Sequence, residues 1–104
     1  MSVYGQWLNA TISASGTTTA SIDLGRDYDY ISVIVPPMAS CTLQLMVSET
    51  EGGTYYDLGA EVTTDEEAFN RADVWRLGGY RFIKIKSSVL QATAVTIRVR
   101  GMRY

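Results

Sequence analysis

At 104 residues the chain has room for one domain, and with 46% hydrophobic against 19% charged residues it carries too much apolar material for a disordered segment. The absence of histidine removes serine–histidine triads, histidine metal sites and the usual proton shuttle, and a single cysteine, Cys41, cannot form an intrachain disulfide or a cysteine metal cluster. A net charge of −2 hides a segregation: residues 1–70 hold ten acids against Arg26 alone, a net −9, while residues 71–104 hold eight bases against Asp73 alone, a net +7.

The opening stretch MSVYGQWLNA has neither the basic segment nor the apolar run of a signal peptide, and no apolar stretch nears about 18 residues. The chain is therefore expected to be soluble, made in the cytoplasm and free of membrane contact. LNATI (8–12) is a first short extended piece. TTASIDL (18–24) alternates Ala20, Ile22 and Leu24 with Thr19, Ser21 and Asp23, the period of two that buries one face of a strand. YISVIV (30–35) places Ile31, Val33 and Val35 on one face, and TLQLMV (42–47) places Leu43, Leu45 and Val47 on one face. Both read as central strands, separated by the Pro36–Pro37 corner that neither could contain. Cys41, at the start of the second run, is expected to be a small, partly buried side chain.

SETEGGTYYDL (48–58) has the acids, glycines and tyrosines of a ligand loop, but its position between two extended pieces makes it a bend. Gly52 and Gly53 are expected to supply the positive φ angles of a tight hairpin turn. A calcium loop needs several converging oxygen ligands, and glycines follow Glu49 and Glu51 where further ligands should stand. Tyr55 and Tyr56, adjacent on a strand, point to opposite faces, so at most one can stack on a sugar. TDEEAFNRA (64–72) fits one helical turn capped by Thr64, or an Ω-like loop. VWRL adds a short strand, and Gly78–Gly79 is a turn, matching neither a phosphate loop nor a dinucleotide fingerprint. RFIKIKS alternates Ile83 and Ile85 with Lys84 and Lys86, and AVTIRVR alternates Val95, Ile97 and Val99 with Thr96, Arg98 and Arg100. These two are the clearest strands.

Seven or eight short strands with glycine-, proline- or acid-rich connections predict an all-β chain, a single antiparallel β-sandwich or jelly roll over residues 1–104, with short terminal arms at 1–6 and 101–104. Asp65, Glu66 and Glu67 are neighbours in a polar segment, whereas glycosidase acids face each other across a substrate. No catalytic, cofactor-binding or metal-ligating residue is assigned, and the expected protein is not an enzyme.

SIDLG (21–25), ISVIVPP, LQLMVSETEGGTYYDLG (43–59) and GGYRFIKIKSSVLQATAVTIRV (78–99), in that order, resemble small β-sandwich structural proteins of tailed-bacteriophage virions. The resemblance covers roughly residues 18–100. It implies a capsid decoration or cement protein, a head-fibre base, or a tail or baseplate accessory protein, assembled in the host cytoplasm. The implied partners are other virion subunits, the major capsid protein first, with the chain itself as a homo-oligomer on the particle. A carbohydrate- or receptor-binding module, stacking a sugar on Tyr55 or Tyr56 with Trp75, is the alternative from another class.

The candidate subunit interface is read from the residues themselves. Lys84, Lys86, Arg98 and Arg100 alternate with core residues on the last two long strands, and would form one basic patch if those strands pair. Acidic strands alongside could neutralise that patch, or it could meet an acidic surface of another subunit. DNA is disfavoured by the acidic isoelectric point and by the lack of interleaved aromatic residues. Trp7 and Trp75 stand among polar neighbours, each a core-edge residue or a contact. Tyr4, Arg103 and Tyr104 lie near the termini, where aromatic arms commonly dock on a partner.

Overall fold

The structure, a computed structural model, describes residues 3–36, 42–63, 71–91 and 93–103. Among the described residues there are nine strands: β1 (Val3–Tyr4), β2 (Leu8–Ile12), β3 (Ile22–Asp23), β4 (Tyr30–Val35), β5 (Thr42–Ser48), β6 (Tyr56–Thr63), β7 (Arg71–Arg76), β8 (Phe82–Ser87) and β9 (Val95–Arg103). β1 and β2 are two pieces of one edge. Both pair with β9, and between the pairs Tyr4↔Met102 and Leu8↔Val99 the edge advances four residues while β9 advances three, so Gly5–Trp7 hold a β-bulge.

One sheet runs β1/β2–β9–β4–β7 and the other β3–β8–β5–β6, all pairs antiparallel. The pairing is nested: β1/β2 with β9, β3 with β8, β4 with β7, β5 with β6. A long hairpin folded over itself in this way, with β4–β9 and β5–β8 as the cross pairs, is the jelly-roll order. The expected antiparallel sandwich is what the chain forms.

The predicted phases of the four long apolar strands hold. Ile31, Val33 and Val35 of β4, Leu43, Leu45 and Val47 of β5, Ile83 and Ile85 of β8, and Val95, Ile97 and Val99 of β9 are all buried and fill the space between the sheets. β3 is shorter than the alternation suggested. Ile22 and Leu24 are buried as expected, but Ala20 is exposed and Thr19 is buried, its Oγ1 accepting from Ile85 N at 3.1 Å. A local polar bond to the neighbouring strand outweighs one alanine methyl in setting the phase there.

Three local devices shape the ends of the sandwich. Tyr28, from the β3–β4 connection, is buried over the backbone of Gly101 and Gly5. A Cβ at Gly101 would overlap the ring, and one at Gly5 would meet the hydroxyl at 2.7 Å. Gln44 is buried on the outer side of β5, where β6 bulges; its Nε2 donates to the carbonyls of Leu58 at 3.0 Å and Gly59 at 3.3 Å. Gln91 accepts from Ser15 N through its carbonyl at 2.7 Å and donates its own N–H to Gly16 O at 3.1 Å, tying the β8–β9 loop to the β2–β3 loop.

Several expectations are corrected. Within the stretches expected as terminal arms, Val3 and Tyr4 pair with Arg103 and Met102 inside the first sheet, because β9 runs on past Gly101. The 48–58 bend is a β5–β6 hairpin, but Gly52 and Gly53 are not at positive φ. A Cβ on Gly53 would collide with Thr50 Oγ1, so close packing rather than handedness requires that glycine. Gly78 and Gly79, at φ 72° and 90°, are the turn glycines. Cys41, Tyr104 and the 64–70 part of the helix-or-loop segment lie outside the described residues, and Arg71–Ala72 belong to β7.

Candidate functional site

The strand registers settle which side chains share a surface. In the first sheet the residues opposite the core-facing ones are Asn9 and Thr11 on β2, Tyr30, Ser32 and Ile34 on β4, Ala72, Val74 and Arg76 on β7, and Thr96, Arg98, Arg100 and Met102 on β9. Every charged residue at an outward position of these four strands is an arginine: Arg76, Arg98 and Arg100.

The bulge at Gly5–Trp7 lays two aromatic rings against that row. The Arg100 guanidinium lies 4.7 Å from the Tyr4 ring centre and 5.7 Å from that of Trp7, and Arg98 lies 5.8 Å from Trp7. These separations are within the reach of a cation–π contact. Arg100 Nε also donates to Gly5 O at 3.0 Å, so the bulge carbonyl holds this guanidinium in place. Beside Trp7, a shallow depression is lined by Ser32, Ile34 and Val74, with Asp73 at its β7 side, where its carboxylate accepts from Val74 N and Trp75 Nε1. Met102, flanked by Tyr4 and Tyr30, is buried on this outer side, and Ser32 Oγ donates to its sulfur at 3.2 Å. The face is thus a flat layer of rings, aliphatic carbons and guanidinium groups, with one carboxylate, Asp73, reaching its β7 edge.

The second sheet's outer face is different in kind. Its bases are matched at home: Arg81 makes a two-point bond to Asp23 at 2.6 and 2.9 Å, Lys86 reaches Asp57 at 3.5 Å, and Lys84 sits 4.5 Å over the Tyr55 ring. Tyr55 is itself fixed, its hydroxyl donating to Glu51 O at 2.8 Å. Among the described residues the ion pairs are Arg81–Asp23 and Lys86–Asp57; the guanidiniums of Arg98 and Arg100 face rings instead.

The single basic patch is therefore overturned. β8 and β9 do not pair; they belong to different sheets, so Lys84 and Lys86 look out from one side of the sandwich and Arg98 and Arg100 from the other. Neutralisation by an acidic neighbour is correct for Lys86 and incorrect for the arginines. Tyr4 and Trp7 do join Arg98 and Arg100, which also corrects the expectation that no aromatic interleaves with the basic residues. Arg103 is exposed at the end of the same sheet, paired with Val3. Trp75 is a core residue, 9% exposed, opposite Ile31, with its Nε1 donating to Asp73 Oδ2 at 3.3 Å. The tyrosine–Trp75 sugar platform consequently does not assemble: Trp75 belongs to the first sheet, whereas Tyr55 and Tyr56 belong to the second. Sequence reasoning missed Arg76 and Tyr30 as members of the arginine face. The alternation of YISVIV already put Tyr30 opposite the core residues, but Arg76 needed the β4–β7 register.

The pKa of the Asp23 carboxylate is displaced. The Arg81 hydrogen bond, and then that of Gly25 N, hold it below the ordinary carboxylate range. A lowered folded-state pKa adds stability above the unfolded value of about 3.9, and that stability is lost as pH falls through the lower folded value. Because both groups are exposed, the effect is small. Asp23→Asn is expected to melt slightly below the parent at pH 7, the gap closing below about pH 4. Thermal melts across pH 2–7 test this, and a gap that persists at the acid end contradicts it.

No protein-family model matches the chain, and no curated protein matches it either.

Proposed function

We propose that this chain is a non-enzymatic structural protein of a tailed-bacteriophage particle, a capsid decoration or cement protein that bridges neighbouring subunits. The observation that carries this reading is the outward face of the β1/β2–β9–β4–β7 sheet, where Arg76, Arg98 and Arg100 stand with Tyr4 and Trp7 and without an acid at any outward position of β2, β4, β7 or β9. Flat faces rich in arginine and aromatic residues suit protein partners, because a planar guanidinium binds a carboxylate at two points and rings add contact area at little entropic cost. The jelly roll recurs in viral capsid and lectin domains, and fold alone does not choose between them. The resemblance of its strand ends and hairpin to virion proteins supports the first.

Mechanistically, an acidic surface of a neighbouring subunit would meet the arginine row, which steers encounter, while Tyr4, Trp7 and Val74 lose water and hold the contact. The test is co-sedimentation with particles lacking the protein, using heads and tails separately to place it. Reversing Arg98 and Arg100 to glutamate is expected to lower incorporation about tenfold or more, and to leave residual binding insensitive to salt. Reversing Lys84 and Lys86 should matter far less, because one is paired and the other stacked within the monomer. Normal incorporation of the arginine reversal would reject the assignment.

A further inference from the structure

The molecule carries a second charged feature complementary to the arginine face. At the β5–β6 hairpin tip, Glu49 and Glu51 are exposed, and among the described residues neither forms an ion pair. The tip is held rather than loose. Ser48 Oγ donates to Thr50 O at 2.7 Å, Gly53 N donates to the same carbonyl at 3.2 Å, and Tyr55 OH donates to Glu51 O at 2.8 Å beneath the Lys84 ammonium. The nearby base, Arg81, is already committed to Asp23.

From this we infer that copies of the chain associate head to tail, with the Glu49–Glu51 tip of one seated on the Arg98–Arg100 face of the next; the inference rests on the reading of the chain as a multi-copy structural subunit. Arg98 and Arg100, alternate residues of a strand, sit roughly 7 Å apart along it. Glu49 and Glu51, also two residues apart, can span at most about 7 Å, so two carboxylates can meet two guanidiniums at once. The two features lie on different sheets, so one copy can offer its tip while its arginine face receives another's. Both sides are ordered beforehand, the arginine side chains by rings and the Gly5 carbonyl, the backbone that carries the glutamates by the turn's own hydrogen bonds, which lowers the entropy lost on contact. Two unlike patches meeting in this way close into a ring or propagate as a filament, and two copies can also satisfy both contacts about a twofold axis.

A charge-swap series on the full chain tests this by sedimentation velocity at low and high salt, with circular dichroism to confirm that each variant is folded. The parent should gain mass with concentration at low salt and lose it at high salt. Glu49→Arg/Glu51→Arg and Arg98→Glu/Arg100→Glu should each bind themselves at least tenfold more weakly. An equimolar mixture of the two should recover association, since each then meets an opposite charge on the other. A parent that stays monomeric at every concentration, or a mixture that fails to recover, overturns the inference. The particle assay separates this failure from that of the function: if the tip reversal incorporates normally while the arginine reversal does not, the face binds a different subunit and not a second copy. Tight binding of an added single-stranded oligonucleotide by the parent but not by the arginine reversal would likewise overturn it, by assigning the face to nucleic acid.

Discussion

Ile83→Asp is expected to abolish folding. Ile83 is fully buried near the start of β8, paired with Ile22 on one side and Val47 on the other, with the first sheet's apolar residues covering it. An aspartate there has two outcomes: a buried charge without a partner, or a neutral acid whose hydrogen-bonding groups find only hydrocarbon. Either costs several kcal/mol, against a total stability of about 5–15 kcal/mol for a domain. Ile83→Val is the control, expected to lose about 0.5–1.5 kcal/mol and remain folded. Soluble expression and circular dichroism measure the outcome, and a folded Ile83→Asp protein would mean that the faces of β8 are reversed.

A methyl group at Gly101 is the second large effect, and it acts without adding charge or polarity. The Cβ of Gly101→Ala falls on the Tyr28 ring, which is 4% exposed. Overpacking of this kind costs about 1–3 kcal/mol, and a domain near this size loses on the order of 4–8 °C of Tm per kcal/mol. Gly101 is not at positive φ, so the ring and not the backbone is the obstacle. Combining Gly101→Ala with Tyr28→Ala isolates that cause. The glycine substitution should cost little once the ring is gone, and equal costs in both backgrounds would show that Tyr28 is not what the glycine accommodates.

Strand faces were legible because burial on one side imprints a period of two on the chain. Ile31/Val33/Val35, Ile83/Ile85 and Val95/Ile97/Val99 each repeat it without interruption, and each is buried as read. Sheet membership leaves no such local trace. Nothing in RFIKIKS or AVTIRVR records that β8 pairs with β5 and β9 with β4, so the four bases that alternation placed correctly one strand at a time were gathered onto one face incorrectly. Trp75 misled for a related reason. In RADVWR the apolar Ala72 and Val74 have the opposite phase to the tryptophan, yet Val74 is 55% exposed and Trp75 is buried, because the β4 register and not the local pattern sets the inward side. Gly101 did carry a signal: a glycine inside a strand often marks a close approach by another group. Its partner, Tyr28, lies 73 positions earlier, beyond any local pattern.

The nested pairing also governs how the chain must find its shape. Among the described strands β5–β6 is the one pair of neighbours in sequence, and each successive pair closes a larger loop, until Val3 meets Arg103 across 100 positions. A topology so dominated by distant contacts has a high contact order and folds on the millisecond-to-second scale rather than in microseconds. On a ribosome, β2 has no partner until β9 emerges, so the edge that carries Tyr4 and Trp7 is among the last parts to form. The arginine face is consequently a surface of the finished molecule alone, and chains still folding cannot present it.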